Sequence, residues 1–139
     1  GSQAVDGGAI SIGADYTINI KNATFRNVSG LIGSVAKIGS RSTLTMEDVK
    51  VTESTGTSSM IYAESASIVM LTRAQFDRIR TDGSGGILTL AYQAVAEIWN
   101  IEATRLSIGG HGGIATIERG AQLDMRHNVI RNVVVTGDG

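Results

Sequence analysis

Leu123-Asp124-Met125-Arg126-His127-Asn128-Val129-Ile130-Arg131-Asn132-Val133 is the last and clearest copy of a pattern that occurs five times in this sequence. Its apolar positions are Leu123, Met125, Ile130 and Val133. The same slots hold Ile18, Ile20, Phe25 and Val28, then Leu44, Met46 and Val51 with Ser54 last. They recur as Val69, Leu71, Phe76 and Ile79, and as Ala96, Ile98, Ala103 and Leu106. First anchors at 18, 44, 69, 96 and 123 give a period of about 26 residues, inside the range of solenoid repeats.

A repeat this short buries an apolar face only by stacking on its neighbours, with coils about 4.8 Å apart and equivalent side chains in columns. The expected inward columns are Ile18/Leu44/Val69/Ala96/Leu123 and Ile20/Met46/Leu71/Ile98/Met125. A polar column, Asn22/Asp48/Arg73/Asn100/His127, falls where the chain must turn. Side chains there are expected to be structural, bonding backbone groups that the bend leaves free.

Each coil opens on a short alternating segment, as a half-buried strand requires. These openers read as Gly7-Gly8-Ala9-Ile10, Ser29-Gly30-Leu31-Ile32, Ser59-Met60-Ile61, Gly85-Gly86-Ile87-Leu88 and Gly112-Gly113-Ile114-Ala115. On that reading the second coil carries about four extra residues, and a bulged loop is expected between Gly33 and Thr43. No segment has helical spacing, and Gly-punctuated, β-branched composition favours strands joined by tight turns.

Composition narrows the function classes. At 139 residues the chain is one domain by size. A net charge of −1 gives no electrostatic case for nucleic acid or an anionic membrane. No apolar run reaches the roughly 20 residues of a membrane span. Without cysteine there is no disulfide, thiol nucleophile or cysteine zinc site. Aromatics are 4% against 42% apolar residues, which suits a thin interior of aliphatic layers. Gly1-Ser2-Gln3 reads as a cloning scar. Residues 1–6 are accordingly set apart as scar and N-terminal edge, and 7–139 as a single β-helix domain.

Gly7-Gly8-Ala9-Ile10, followed by Thr24-Phe25-Arg26-Asn27, resembles the Gly-Gly-Ala-Ile and Phe-x-x-Asn repeats of polymorphic outer-membrane-protein-type β-helices. More broadly the chain resembles the pectin-lyase-like superfamily. That resemblance implies an all-β, right-handed parallel β-helix of about five coils, and the strong right-handed bias of parallel crossovers points the same way. Val28 stands where the repeat would place its Asn. Solenoids need polar caps over their end coils. Here a Gly-Gly strand opens the repeat array, Thr136-Gly137-Asp138-Gly139 follows the last one, and no amphipathic capping helix is evident. The expectation is a fragment of a longer solenoid, or coils that stack end to end between molecules.

Alternation places two further columns outside: Asn19/Thr45/Met70/Glu97/Asp124 and Lys21/Glu47/Thr72/Trp99/Arg126. In the last two coils Glu97, Trp99, Asp124 and Arg126 then share one patch. Carboxylates on adjacent rungs suit acid–base work or a cation, and Trp beside acids and an Arg suits a sugar ring. In pectin-lyase-like enzymes the implied active face is this kind of outward strand surface. The competing reading is a solvated sheet face whose charges pair locally.

Gly110-His111-Gly112 resembles the Gly-His-Gly element of polygalacturonase-type hydrolases, but the Asn-Thr-Asp, Asp-Asp and Arg-Ile-Lys elements that accompany it there are missing. Glycoside hydrolysis needs two carboxylates flanking one bond, which this tripeptide does not supply. His111 reads as a turn residue and His127 as a corner residue, without metal-ligand spacing. Asn22-Ala23-Thr24 and Asn27-Val28-Ser29 fit the N-glycosylation acceptor pattern and give slight support to an exported chain. No glycine-rich stretch introduces a helix as a phosphate cradle would. Basic residues are scattered, unlike a nucleic-acid groove.

The expected function is a non-catalytic structural or adhesive module of an extracellular or cell-surface protein, self-associating into a homo-oligomer or filament through its coil ends. The alternative is a carbohydrate-binding or carbohydrate-cleaving β-helix that uses Glu97, Trp99, Asp124 and Arg126 on a polysaccharide. No cofactor, metal, nucleic acid or membrane insertion is expected.

Overall fold

The computed structural model describes residues 2–6 and 8–137. Gly7, in the first opener, lies outside the described residues, as do Gly1, Asp138 and Gly139. The chain is a parallel β-solenoid of about five coils. It begins with β1 (Ser2–Asp6) and continues through five repeats of a short, a middle and a longer strand. The short strands are β2 (Ile10–Ile12), β5 (Ala36–Ile38), β8 (Ile61–Ala63), β11 (Leu88–Leu90) and β14 (Ala115–Ile117). The middle ones are β3 (Thr17–Lys21), β6 (Thr43–Glu47), β9 (Ile68–Thr72), β12 (Val95–Trp99) and β15 (Gln122–Arg126). The longer ones are β4 (Thr24–Ile32), β7 (Lys50–Gly56), β10 (Gln75–Thr81), β13 (Glu102–Ile108) and β16 (Val129–Val135). Each set forms its own parallel sheet in coil order, with β1 added to the third beside β4.

The register matches every column read from the sequence. Ile18 pairs with Leu44, Leu44 with Val69, Val69 with Ala96 and Ala96 with Leu123. Phe25, Val51, Phe76, Ala103 and Ile130 align in the third sheet, as do Val28, Ser54, Ile79, Leu106 and Val133. Leu44, Met46, Val69, Leu71 and Ile98 are fully buried. Ile18, Ile20, Leu123 and Met125 are only partly buried because the end coils have one neighbour instead of two.

The expected insertion in the second coil is absent. Ala36–Ile38, not Gly30-Leu31-Ile32, pairs with Ile10–Ile12 and with Ile61–Ala63. Gly30 belongs to the preceding long strand, aligned with Gly56. The true opener is Gly33-Ser34-Val35-Ala36, and all five coils share one spacing. Its unfamiliar look follows from space at one interior corner. A Cβ on Gly56 would lie 3.1 Å from the Ser34 Cβ, so a small exit residue leaves room for a larger opener. In the fourth coil the sizes swap, and a Cβ on Gly86 would come within 2.9 Å of Ile108 Cγ1. The buried Ser34 hydroxyl bonds the Ser54 hydroxyl, which satisfies both in the apolar interior.

Residues Ser2–Asp6, set apart as scar and edge, form a strand in register with Val28–Ile32. At the corners Asn22, Asp48, Arg73, Asn100 and His127 all take left-handed φ values between 51° and 56°. The column is structural, yet its side chains act differently from expectation. The corner N–H groups bond main-chain carbonyls of the next coil, as Asn22 N donates to Glu47 O. Side-chain bonding to the backbone falls to the neighbouring Asn128. Its amide donates to Ile98 O at 3.0 Å, and its Oδ1 accepts from Ile101 N at 2.9 Å.

Candidate functional site

Strands β12 and β15 bring the four candidate residues together: Glu97 pairs with Asp124, and Trp99 with Arg126. All four side chains lie on the outer face because the inward slots are taken by Ala96, Ile98, Leu123 and Met125. The Arg126 guanidinium sits 5.4 Å from the Trp99 ring centroid, within cation–π range. It also clamps Asp124, with Nε donating to Oδ1 at 3.1 Å and Nη2 lying 3.0 Å from Oδ2. Asp124, mainly through this hydrogen bond and then through its charge, holds the Arg126 guanidinium above its ordinary value, with a smaller contribution from Glu97. Asp124 is thus engaged along its own strand, and one face of Trp99 is occupied. Trp99 as a residue remains 38% exposed, so a ligand could still reach it.

Concave surface lies elsewhere, along β4, β7, β10 and β13. A shallow groove of about 260 Å³ is lined by Lys50, Gln75, Asp77, Glu102, Thr104 and Arg105. A neighbouring one of about 360 Å³ is lined by Arg26, Asn27, Lys50, Thr52, Glu53 and Arg78. Both follow a second row of left-handed residues, Asn27, Glu53, Arg78, Arg105 and Asn132, with φ between 51° and 63°. Each drops out of the ladder between two paired neighbours, so every long strand bends at the same height. The sequence reading missed this row because its residue types vary from coil to coil.

Ion pairs staple the second, third and fourth coils each to the one before. Arg41 Nε bonds Asp15 Oδ1 at 2.7 Å, Arg73 Nε bonds Asp48 Oδ1 at 2.9 Å, and Arg105 Nε bonds Asp77 Oδ1 at 2.7 Å. Arg78 reaches Glu53 at 3.1 Å. Hydrogen bonds from these arginines, ahead of their charge, hold Asp15, Asp48 and Asp77 below the ordinary carboxylate value. A carboxylate whose folded-state pKa is depressed contributes stability above its unfolded value, about 3.9, and loses it as pH falls through the folded value. The urea midpoint is therefore expected to fall as pH drops below about 4, less steeply in Asp77→Asn and with a smaller drop in high salt. A midpoint unchanged between about pH 5 and 2.5 would remove these clamps from the account of stability.

His111 is exposed in a bend, where its N–H donates to Ser84 Oγ at 3.1 Å, and His127 occupies its corner. Among the described residues, no three His, Asp or Glu side chains form a group able to hold a metal ion, and no helix is long and apolar enough to cross a membrane.

The chain matches no protein-family model, no curated protein and no solved structure.

Proposed function

We propose that this chain is a non-catalytic structural or adhesive module of an extracellular or cell-surface protein, and that it associates end to end. Within that reading it is a right-handed pectin-lyase-like β-helix with repeats of the polymorphic outer-membrane-protein type. The observation that carries the proposal is the contrast between middle and end coils. Leu71 and Ile98 are wholly buried, while Ile20 and Met125 in the same column keep partial exposure at opposite ends. Covering those ends with another coil would extend every column and satisfy the open strand edges. Arginine clamps between successive coils favour a stiff rod that presents long, flat sides.

A second reading, a carbohydrate-binding or carbohydrate-cleaving surface at Glu97, Trp99, Asp124 and Arg126, draws on the exposed Trp99 face beside charged groups. One preparation tests both. Sized by light scattering across a concentration series, it is expected to grow with concentration, and on a glycan array to retain nothing. Strict monomers at millimolar concentration would overturn the end-to-end reading. Glycan retention that disappears in Trp99→Ala would move the assignment to the second.

A further inference from the structure

The shallow groove of about 260 Å³ over β7, β10 and β13 holds a base and an acid that none of the arginine clamps uses, Lys50 and Glu102. We infer that this groove binds a small zwitterion, a free amino acid or a dipeptide, with Lys50 taking the carboxylate and Glu102 the ammonium group.

Register sets the spacing of the two charges. Lys50 pairs with Gln75 and Gln75 with Glu102, so the three share one outward column on the second, third and fourth coils. All three are exposed, and each has a paired strand on both sides: Thr24 continues the column beyond Lys50, and Val129 beyond Glu102. Two rungs separate the Lys50 and Glu102 backbones by about 9.6 Å. An α-amino acid holds its ammonium nitrogen about 2.5 Å from its carboxyl carbon. With a charge-assisted contact of about 3 Å at each end, it nearly fills that span. A dipeptide, longer by one Cα–Cα step of about 3.8 Å, fits when the flexible stems of Lys50 and Glu102 lean apart.

The other charges in the groove are already matched. Asp77 accepts from Arg105 Nε at 2.7 Å, and this hydrogen bond holds its carboxyl below the ordinary value. Lys50 and Glu102 take part in no ion pair among the described residues. Between them the Gln75 amide can donate to a carboxylate or bond a peptide group, and Thr104 adds a hydroxyl. Buried Val51 and Phe76 form the floor, which gives a small side chain an apolar contact. Opposite charges at the two ends also select against single-signed ligands. A polyanion would meet Glu102 and a polycation Lys50, whereas a zwitterion satisfies both.

Amide chemical-shift titrations with alanine, alanylalanine, N-acetylalanine and alaninamide test the site. Alanine or alanylalanine is expected to shift amides of β7, β10 and β13, and the tighter of the two assigns the ligand's length. N-acetylalanine lacks the ammonium group and alaninamide the carboxylate. Each is expected to bind about fivefold more weakly, the upper range for one exposed ion pair. Lys50→Glu and Glu102→Lys are each expected to abolish the shifts, and the two together to restore them with the ligand reversed. Unmoved amides with both zwitterions overturn the site. Equal binding of the blocked ligands, which needs no variant, overturns it too, as does a double variant that is folded by circular dichroism and stays inert.

Discussion

Leu71→Ala is expected to lower the unfolding free energy by about 2–5 kcal/mol, and Leu123→Ala by less than half as much. Leu71 lies in the middle coil, fully buried, with Met46 and Ile98 as its partners on either side. Removing its side chain opens a void that neighbours on both rungs are too tightly laddered to fill, so the cavity cost adds to the lost transfer energy. Leu123 has Ala96 on one side only and retains solvent contact. Its truncation therefore removes less buried area and leaves a dent open to water. Urea denaturation of the two variants at one protein concentration measures the difference. Equal costs would mean that the end coil is covered in solution, as association through the ends would make it. A dilution series separates that outcome from an error in the burial argument, because only association makes the Leu123→Ala cost depend on concentration.

The difference between these sites also explains which features could be read from the sequence. Burial by stacking demands an apolar residue at the same slot in every coil, so the inward columns leave a period that chemistry alone reveals. Even the polar Ser54 was placed correctly, because its four column partners fixed the slot. Outward residues follow by alternation, which is how Glu97, Trp99, Asp124 and Arg126 were brought onto one patch. The second opener was misplaced because Gly30-Leu31-Ile32 imitates a glycine-led strand, while the true opener has Ser34 where Gly8, Gly86 and Gly113 stand elsewhere. That choice depends on the size of a residue across the corner, Gly56, which a local pattern cannot supply.

The bend along the long strands did leave a signal. Phe25 and Val28 both point inward but stand three residues apart, and strict alternation cannot place both inside. One residue must leave the pleat, and Asn27 does so at φ 51°. The same odd spacing separates Phe76 from Ile79, with Arg78 between them at φ 58°. What was not legible is how the side chains along those bends pair. Arg105 reaches Asp77 in the previous coil, a partner set by register and rotamer together.

The other large effect concerns backbone space. Gly33→Ala is expected to cost about 2–5 kcal/mol, combining left-handed strain with a steric clash, and Gly120→Ala about 1–2 kcal/mol or less. Both glycines have positive φ, 65° and 76°. Left-handed backbone alone does not demand glycine in this fold, since Ala66 holds φ 59° in the column that contains Gly120. The difference is what a Cβ would meet. At Gly33 it would lie 2.1 Å from the Ala36 carbonyl oxygen, a backbone atom fixed by the β5 pairing. At Gly120 the nearest atom is Gln93 Cγ at 3.3 Å, on a side chain that can turn away. Thermal melts of the two variants, read beside circular dichroism to confirm the strand content, give the comparison. Equal destabilisation would show that φ, not the Ala36 carbonyl, makes glycine necessary at position 33. A far larger loss at Gly33 would identify the start of the second coil as a place where the solenoid tolerates no side chain.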